Sequence, residues 1–80
     1  MKLYERVSLI KDETKYGLKA GDVATLIDYV QHPSNGEVGC VLEISNAIGE
    51  NISVITVPVS SIESLKPDEI FSVRHFSKAV

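Results

Sequence analysis

The chain has 80 residues, a formal net charge of −3 and a hydrophobic share of 44%, which suits one compact domain and argues against disorder. Its only cysteine, Cys40, excludes an internal disulfide, and its cysteine and histidine spacing matches no zinc site. The first residues lack the apolar stretch of a signal peptide, and no apolar run approaches the roughly 20 residues of a membrane span. We therefore expect a cytoplasmic protein.

Short β-branched segments separated by turns dominate the sequence from its start. The first predicted strand covers residues 4–10, and a polar loop over residues 12–21 follows, folded onto the domain by Tyr16 and Leu18. Residues 22–31 predict a long strand that is apolar on both faces at its centre. This pattern is typical of a strongly bent strand that serves two sheets, or of a strand that is shielded on both sides.

The middle of the chain predicts hairpins. The Pro-Ser-Asn-Gly sequence within residues 32–36 predicts a tight turn, because proline fixes φ and Asn-Gly accepts a positive φ. In the strand that follows, Cys40 alternates with other apolar residues, which favours a small inert core residue over a reactive thiol. The remaining predicted elements are a strand over residues 37–45, a hairpin loop over 46–51 with Gly49 in a left-handed position, a strand over 52–57 ended by Pro58, a helical turn over 59–62 and a closing strand over 63–65.

The C-terminal segment has two interpretations. Pro67 and the acidic pair after it suit the start of a helix, whereas the β-branched and aromatic residues favour a strand, which we prefer. Its apolar residues Phe71, Val73 and Phe76 lie beyond the end of a barrel. We expect them to fold back and complete the core; the alternative is a strand added to a second subunit in a symmetric dimer.

Together these elements predict an all-β domain. The expected architecture is a small SH3-like barrel of about five antiparallel strands with a short helical turn, formed by residues 1–66. A C-terminal extension over residues 67–80 then packs on the barrel or on a partner subunit. Closure of the sheet removes most of the exposed edges that promote aggregation.

Several segments resemble a known family. Two segments, VSLIKD (residues 7–12) and YGLKAGDVATL (16–26), resemble domain-of-unknown-function family 4926, whose members are small bacterial and often cyanobacterial proteins. They are similar to the opening strand, the acidic loop and the Gly-Asp-x-Gly-Thr-like segment of that family. VLEI (41–44) and VPV (57–59) are similar to its later strand and closing turn, whereas Ala24 stands where glycine is more usual. The resemblance, over residues 4–66, implies an SH3-like barrel without established activity. Family members encoded beside toxin-like proteins further imply an antitoxin-like or immunity-like role.

No set of residues predicts catalysis. His32 and His75 stand beside a turn proline and in the tail, while Ser60 and Ser61 lie in the predicted helical turn, where serine caps backbone groups. The glycines of residues 17–21 precede neither Lys-Ser/Thr nor a helix, so they form no phosphate loop. We predict no enzyme, no cofactor and no metal site.

Charge is unevenly distributed along the chain. Residues 1–19 hold five basic and three acidic side chains, residues 20–65 hold six acids and no Lys or Arg, and residues 66–80 hold three bases and two acids. Nucleic-acid binding depends on Lys and Arg, which leaves Lys11, Lys15 and Lys19 as the basis of an alternative, less favoured function. The acidic middle suits a basic, toxin-like protein partner.

We therefore predict an interaction module, either a monomer or a homodimer, that binds a protein and neither nucleic acid nor membrane. Reversal of Glu37, Glu43 and Glu50 is expected to abolish protein binding, whereas the nucleic-acid alternative depends on the loop lysines. The predicted partner-binding residues are Tyr16, Leu18, Tyr29, Glu37, Glu43, Glu50, Phe71 and Phe76.

Overall fold

The computed structural model describes residues 1–31 and 36–77. Within them the chain is mainly β, and the only helical elements are two 3-10 turns. In chain order the elements are β1 (Arg6–Leu9), η1 (Thr14–Tyr16), β2 (Val23–Gln31), β3 (Val38–Ser45), β4 (Asn51–Pro58), η2 (Val59–Ser61) and β5 (Ile62–Ser64). The five strands form one antiparallel sheet in the order β4-β3-β2-β1-β5. The prediction of about five antiparallel strands with a short helical turn is confirmed.

Strand β2 belongs to both halves of the sheet. Its first residues pair with β1, with Ala24 opposite Val7, and its later residues pair with β3. The register with β3 shifts between Leu26 and Asp28, so one extra residue, Ile27, is inserted at that point. Such a bulge bends a strand and increases its twist, which confirms the predicted bend. The strand pairs on both sides within one sheet, so the expectation that it serves two sheets is wrong.

The sheet curls on itself because η2 is short. Strands lie about 4.8 Å apart, so the edges of a flat five-stranded sheet would be about 19 Å from each other. Four residue steps from Pro58 to Ile62 carry the chain from β4 at one edge to β5 at the other. Even fully extended, four steps span only about 14 Å, and a 3-10 turn is more compact. The strands therefore form the small SH3-like barrel that the sequence predicts.

The core fills the inside of this barrel. Tyr16, half-buried in η1, packs against it from the long loop, as the sequence predicts. Cys40 is fully buried, and burial, with the Glu37 charge adding to it, raises the pKa of its thiol. The predicted core position of Cys40 is confirmed. The buried apolar residues are Val7, Leu9, Leu18, Ala24, Leu26, Cys40, Leu42, Ile44, Ile55, Val57 and Ile62.

Element ends differ from prediction by a residue or two. Pro58 is the last residue of β4 rather than the residue after it, and β5 starts at Ile62, one position before its predicted start. Proline is tolerated there because it sits at the end of an edge strand. Gly49 has φ +87° in the β3–β4 loop, as predicted. The predicted turn over residues 32–36 lies outside the described residues except for Gly36.

The C-terminal segment differs most from prediction. Residues 65–77 form neither a strand nor a helix, so the preferred strand is wrong for this described part. Phe71, Val73 and Phe76 are 66%, 91% and 38% exposed, and the expectation that they complete the core is wrong as well. The physical reason is that Leu18 and Tyr16 of the long loop already pack against the barrel interior.

Candidate protein-binding surface

The loop that joins β3 to β4 is ordered by one side chain, Asn46. Its Oδ1 accepts hydrogen bonds from the backbone N–H groups of Ile48 (3.1 Å) and Glu50 (2.9 Å), and its Nδ2 donates to Glu50 Oε1 at 2.8 Å. Backbone bonds from Asn46 N to Glu50 O (2.8 Å) and from Gly49 N to Asn46 O (3.0 Å) close the turn. Asparagine suits this position because its short side chain bonds readily to the backbone a few residues on.

This ordered turn presents an apolar side chain to solvent. Ile48 is 81% exposed, although neither the turn nor the core requires an isoleucine there. Single exposed apolar residues are common on protein surfaces. What distinguishes Ile48 is that its own backbone N–H is fixed by Asn46, so the side chain is held away from the barrel. An apolar group held in this way binds with little loss of conformational entropy.

Two carboxylates flank Ile48 on the same hairpin. Glu50 follows it in the turn, and Glu43 lies in β3 opposite Val54 of β4, where its Oε2 accepts a hydrogen bond from Asn51 Nδ2 at 3.2 Å. The ion pairs among residues 1–31 and 36–77 join Lys66 to Glu63 and Arg74 to Asp22, and neither includes these two glutamates. We call Glu43, Ile48 and Glu50 the hairpin-tip surface.

At the end of the hairpin away from the tip, β3 contains a closely packed glycine. Gly39 is buried between Val30 of β2 and Pro58 of β4. A Cβ built on it would lie 2.8 Å from Val30 Cγ2 and 3.3 Å from Thr56 Cγ2. The absent side chain thus lets the Val30 and Thr56 side chains pack across the strand.

Four of the predicted binding residues have structural contacts elsewhere. Leu18 is only 3% exposed and belongs to the core, and the Tyr16 ring lies 5.0 Å from Lys15 Nζ. The Tyr29 hydroxyl donates to the Met1 carbonyl at 2.6 Å. Glu37 Oε1 accepts a hydrogen bond from the Ser60 backbone N–H at 3.0 Å, which joins the start of β3 to η2.

Phe71 and Phe76 belong to a tail that is attached through Arg74. The Arg74 guanidinium donates from Nε to Asp22 Oδ1 at 2.9 Å, from Nη2 to Asp22 Oδ2, and from Nη2 to the Gly17 carbonyl at 3.3 Å. Burial raises the pKa of Asp22, but the hydrogen bonds from Arg74 and from the Lys19 backbone outweigh it, and the pKa is lowered overall. The same hydrogen bonds, which Arg74 donates to Asp22, raise the pKa of Arg74. The Phe71 ring centroid lies 6.0 Å from the Arg6 guanidinium.

The tail and the long loop border a shallow cleft of about 250 Å³. Both signs of charge line it, since Asp12, Lys19 and Arg74 all border the cleft. Within the described ranges no three His, Cys, Asp or Glu residues gather closely enough to hold a metal ion. In the same ranges, no helix has the length and apolar character needed to cross a membrane.

The eight predicted binding residues therefore do not form one site. Glu43 and Glu50 lie on the same hairpin, and the sequence interpretation missed Ile48, which stands between them in the chain. A signal for it exists: the Asn-Ala-Ile-Gly-Glu loop needs Asn and Gly for its turn, whereas an isoleucine contributes nothing to that geometry. The ion pair between Asp22 and Arg74 has no comparable local signal, because its partners are far apart in sequence.

Comparison of the chain with protein-family models, with curated proteins and with solved structures finds no match in any of the three.

Proposed function

We propose that this protein is a non-enzymatic, cytoplasmic interaction module that binds a basic protein through the hairpin-tip surface. The observation that carries the proposal is Ile48, an 81% exposed isoleucine on an ordered turn of the hairpin that also carries Glu43 and Glu50. The resemblance of residues 4–66 to family 4926 supports an antitoxin-like or immunity-like role, with a toxin-like protein as the partner.

The proposed binding mode combines one apolar anchor with charge pairing. Ile48 enters an apolar pocket of the partner, and Glu43 and Glu50 pair with Lys or Arg at the rim of that pocket. Buried anchors at the centre of an interface carry most of the binding energy, while charges at the rim mainly set the association rate and the choice of partner. Residues 20–65 contain no Lys or Arg that would repel a basic partner.

The test has two stages. The tagged full chain is used to capture its partner from the native host with and without nuclease, and the captured protein is then purified for affinity measurements. We expect Ile48→Asp, and separately Glu43→Lys with Glu50→Lys, to weaken binding at least tenfold. The matched control combines Glu63→Lys with Asp68→Lys, which changes the net charge equally on residues away from the hairpin and should leave affinity within about twofold.

The nucleic-acid alternative predicts the opposite pattern. Two results together would overturn the proposal. The complex would be lost after nuclease treatment, and it would be abolished by Lys11→Glu, Lys15→Glu and Lys19→Glu but not by the hairpin variants. Salt provides a second check. For protein binding driven partly by rim charges, we expect higher salt to slow association more than it speeds dissociation.

A further inference from the structure

Strands β2, β3 and β4 share a face that points away from the core. Successive side chains of a strand point to opposite sides of a sheet, and the buried Leu26, Cys40 and Leu42 identify the inner side. On the opposite side the paired register gives three rows of residues, which we call the outer face: Thr25, Glu43 and Val54; Asp28, Val41 and Thr56; Val30, Gly39 and Pro58.

Three valines cross the outer face on a diagonal, one in each row. Val54 of β4 and Val30 of β2 are 53% and 39% exposed, and Val41 of β3 lies half-buried in the row between them. Gly39 has no side chain to interrupt the apolar surface beside Val30. We call these three residues the valine diagonal. Apolar surfaces bordered by polar residues are typical of interaction sites.

Two carboxylates border the valine diagonal on the same side. Glu43 lies in the first row on β3, and Asp28 lies in the second row on β2, whereas the other side of the diagonal is uncharged. The outer face contains no Lys or Arg. The outer face of a second copy therefore offers no base to pair with these carboxylates, which favours a basic partner over a face-to-face dimer.

The valine diagonal has the length of one short helix. Neighbouring strands lie about 4.8 Å apart and two residues span about 6.8 Å along a strand, so the diagonal extends over roughly 17 Å. An α-helix rises 1.5 Å per residue, so about 11 residues cover this length. A straight apolar diagonal with acids on one side matches a helix that has an apolar stripe and bases beside it.

We propose that the basic partner presents an amphipathic helix that docks on the outer face. Its apolar stripe follows the valine diagonal, and its Lys or Arg side chains lie against Asp28 and Glu43. Helices of this kind bind through anchors spaced by three and four residues. The inference rests on the proposed function for the basic character of the partner, and it shares Glu43 with the hairpin-tip surface.

The probe is a synthetic, helix-stabilised peptide of about 14 residues, with leucines spaced by three and four residues and lysines along one side of them. An NMR titration of the full chain measures its affinity and maps its site. We expect saturable binding with a dissociation constant of about 100 µM or tighter, and Val54→Lys should weaken it at least tenfold. The matched control is Val38→Lys, the same change at a 37% exposed position of β3 on the opposite side of the sheet, which should leave affinity within about twofold.

Three results would contradict the docking of a helix on the outer face. The first is a lack of saturable binding, or chemical-shift changes that map to another surface. The second is equal binding of a peptide with the same composition in scrambled order, since net charge alone would then explain the attraction. The third is a dimer of the full chain in analytical ultracentrifugation that Val54→Lys dissociates, since a second copy would then occupy the face.

The variant Ile48→Asp separates this inference from the proposed function. It should leave the affinity for the peptide unchanged, because Ile48 lies in the turn beyond the outer face, while it weakens binding of the captured partner. Peptide binding without capture of a basic partner would refute the proposed function alone. A captured partner whose affinity depends on Ile48 but not on Val54 would refute the helix docking alone.

Discussion

At the scale of single residues, Asn46 determines whether the hairpin tip is ordered. Replacement by Ala removes three side-chain hydrogen bonds, and we expect Asn46→Ala to lower the free energy of unfolding by about 1–2 kcal/mol. Urea denaturation measures this effect, with Ser45→Ala at the exposed neighbouring position as the control. An unchanged urea midpoint for Asn46→Ala would contradict the importance assigned to these bonds. The variant should also weaken partner binding, since Ile48 would no longer be held in place.

The glycine at position 39 is required by close packing rather than by backbone conformation. Its φ lies outside the positive range that favours glycine. The Cβ of Gly39→Ala would approach Val30 Cγ2 to 2.8 Å, so we expect a loss of about 1–3 kcal/mol of stability through overpacking. In the double variant with Val30→Ala, the conflicting methyl group is gone, and part of the loss should be recovered. A double-mutant cycle from thermal or urea unfolding measures the coupling, and a cycle without coupling would refute the contact.

At the scale of elements, the tail is attached to the barrel through a titratable group. The pKa of Asp22 is lowered from its ordinary value of 3.8, so its ionised form favours the attached tail. This contribution is fully present above pH 3.8 and is lost as the pH falls through the lowered pKa. We expect the tail to be ordered at neutral pH and to detach in acid, as NMR relaxation of residues 70–77 would show.

A pair of variants isolates this attachment. Asp22→Asn should leave the tail mobile already at pH 7 and remove its acid transition, whereas Asp68→Asn should behave as the wild type, because no ion pair of Asp68 is present among the described residues. An equally ordered tail in Asp22→Asn and in the wild type would show that other contacts hold it.

Elements that depend on local sequence were predictable, and those that depend on distant contacts were not. Alternating apolar residues and turn signals located all five strands and the bend in β2, because strand pairing follows the period of two and the turn chemistry. The tail was mispredicted because its strand-like composition does not reveal that Leu18 and Tyr16 already cover the core. For the candidate surface, charge counting found Glu43 and Glu50, but it cannot show that Ile48 is held outward between them.

At the scale of the whole molecule, charge is unevenly distributed along the chain. Residues 20–65 contain six acids and no Lys or Arg, and the β3–β4 hairpin within them carries Glu43, Glu50 and the exposed Ile48. Opposite charge speeds the encounter between two proteins, so this part of the chain suits a basic partner.

The pairing of β1 with β5 has a consequence for the order in which the protein folds. Strands β2, β3 and β4 are joined by short hairpins, whereas β1 must find β5 from the far end of the domain, with Val7 opposite Ser64. The Ser64 hydroxyl also donates to Glu5 Oε1 at 2.8 Å, so the same step brings in the residues before β1. Loop closure over such a separation costs entropy that local hairpins avoid. The three-stranded meander is therefore expected to form early, and the docking of β1 on β5 sets the speed of folding.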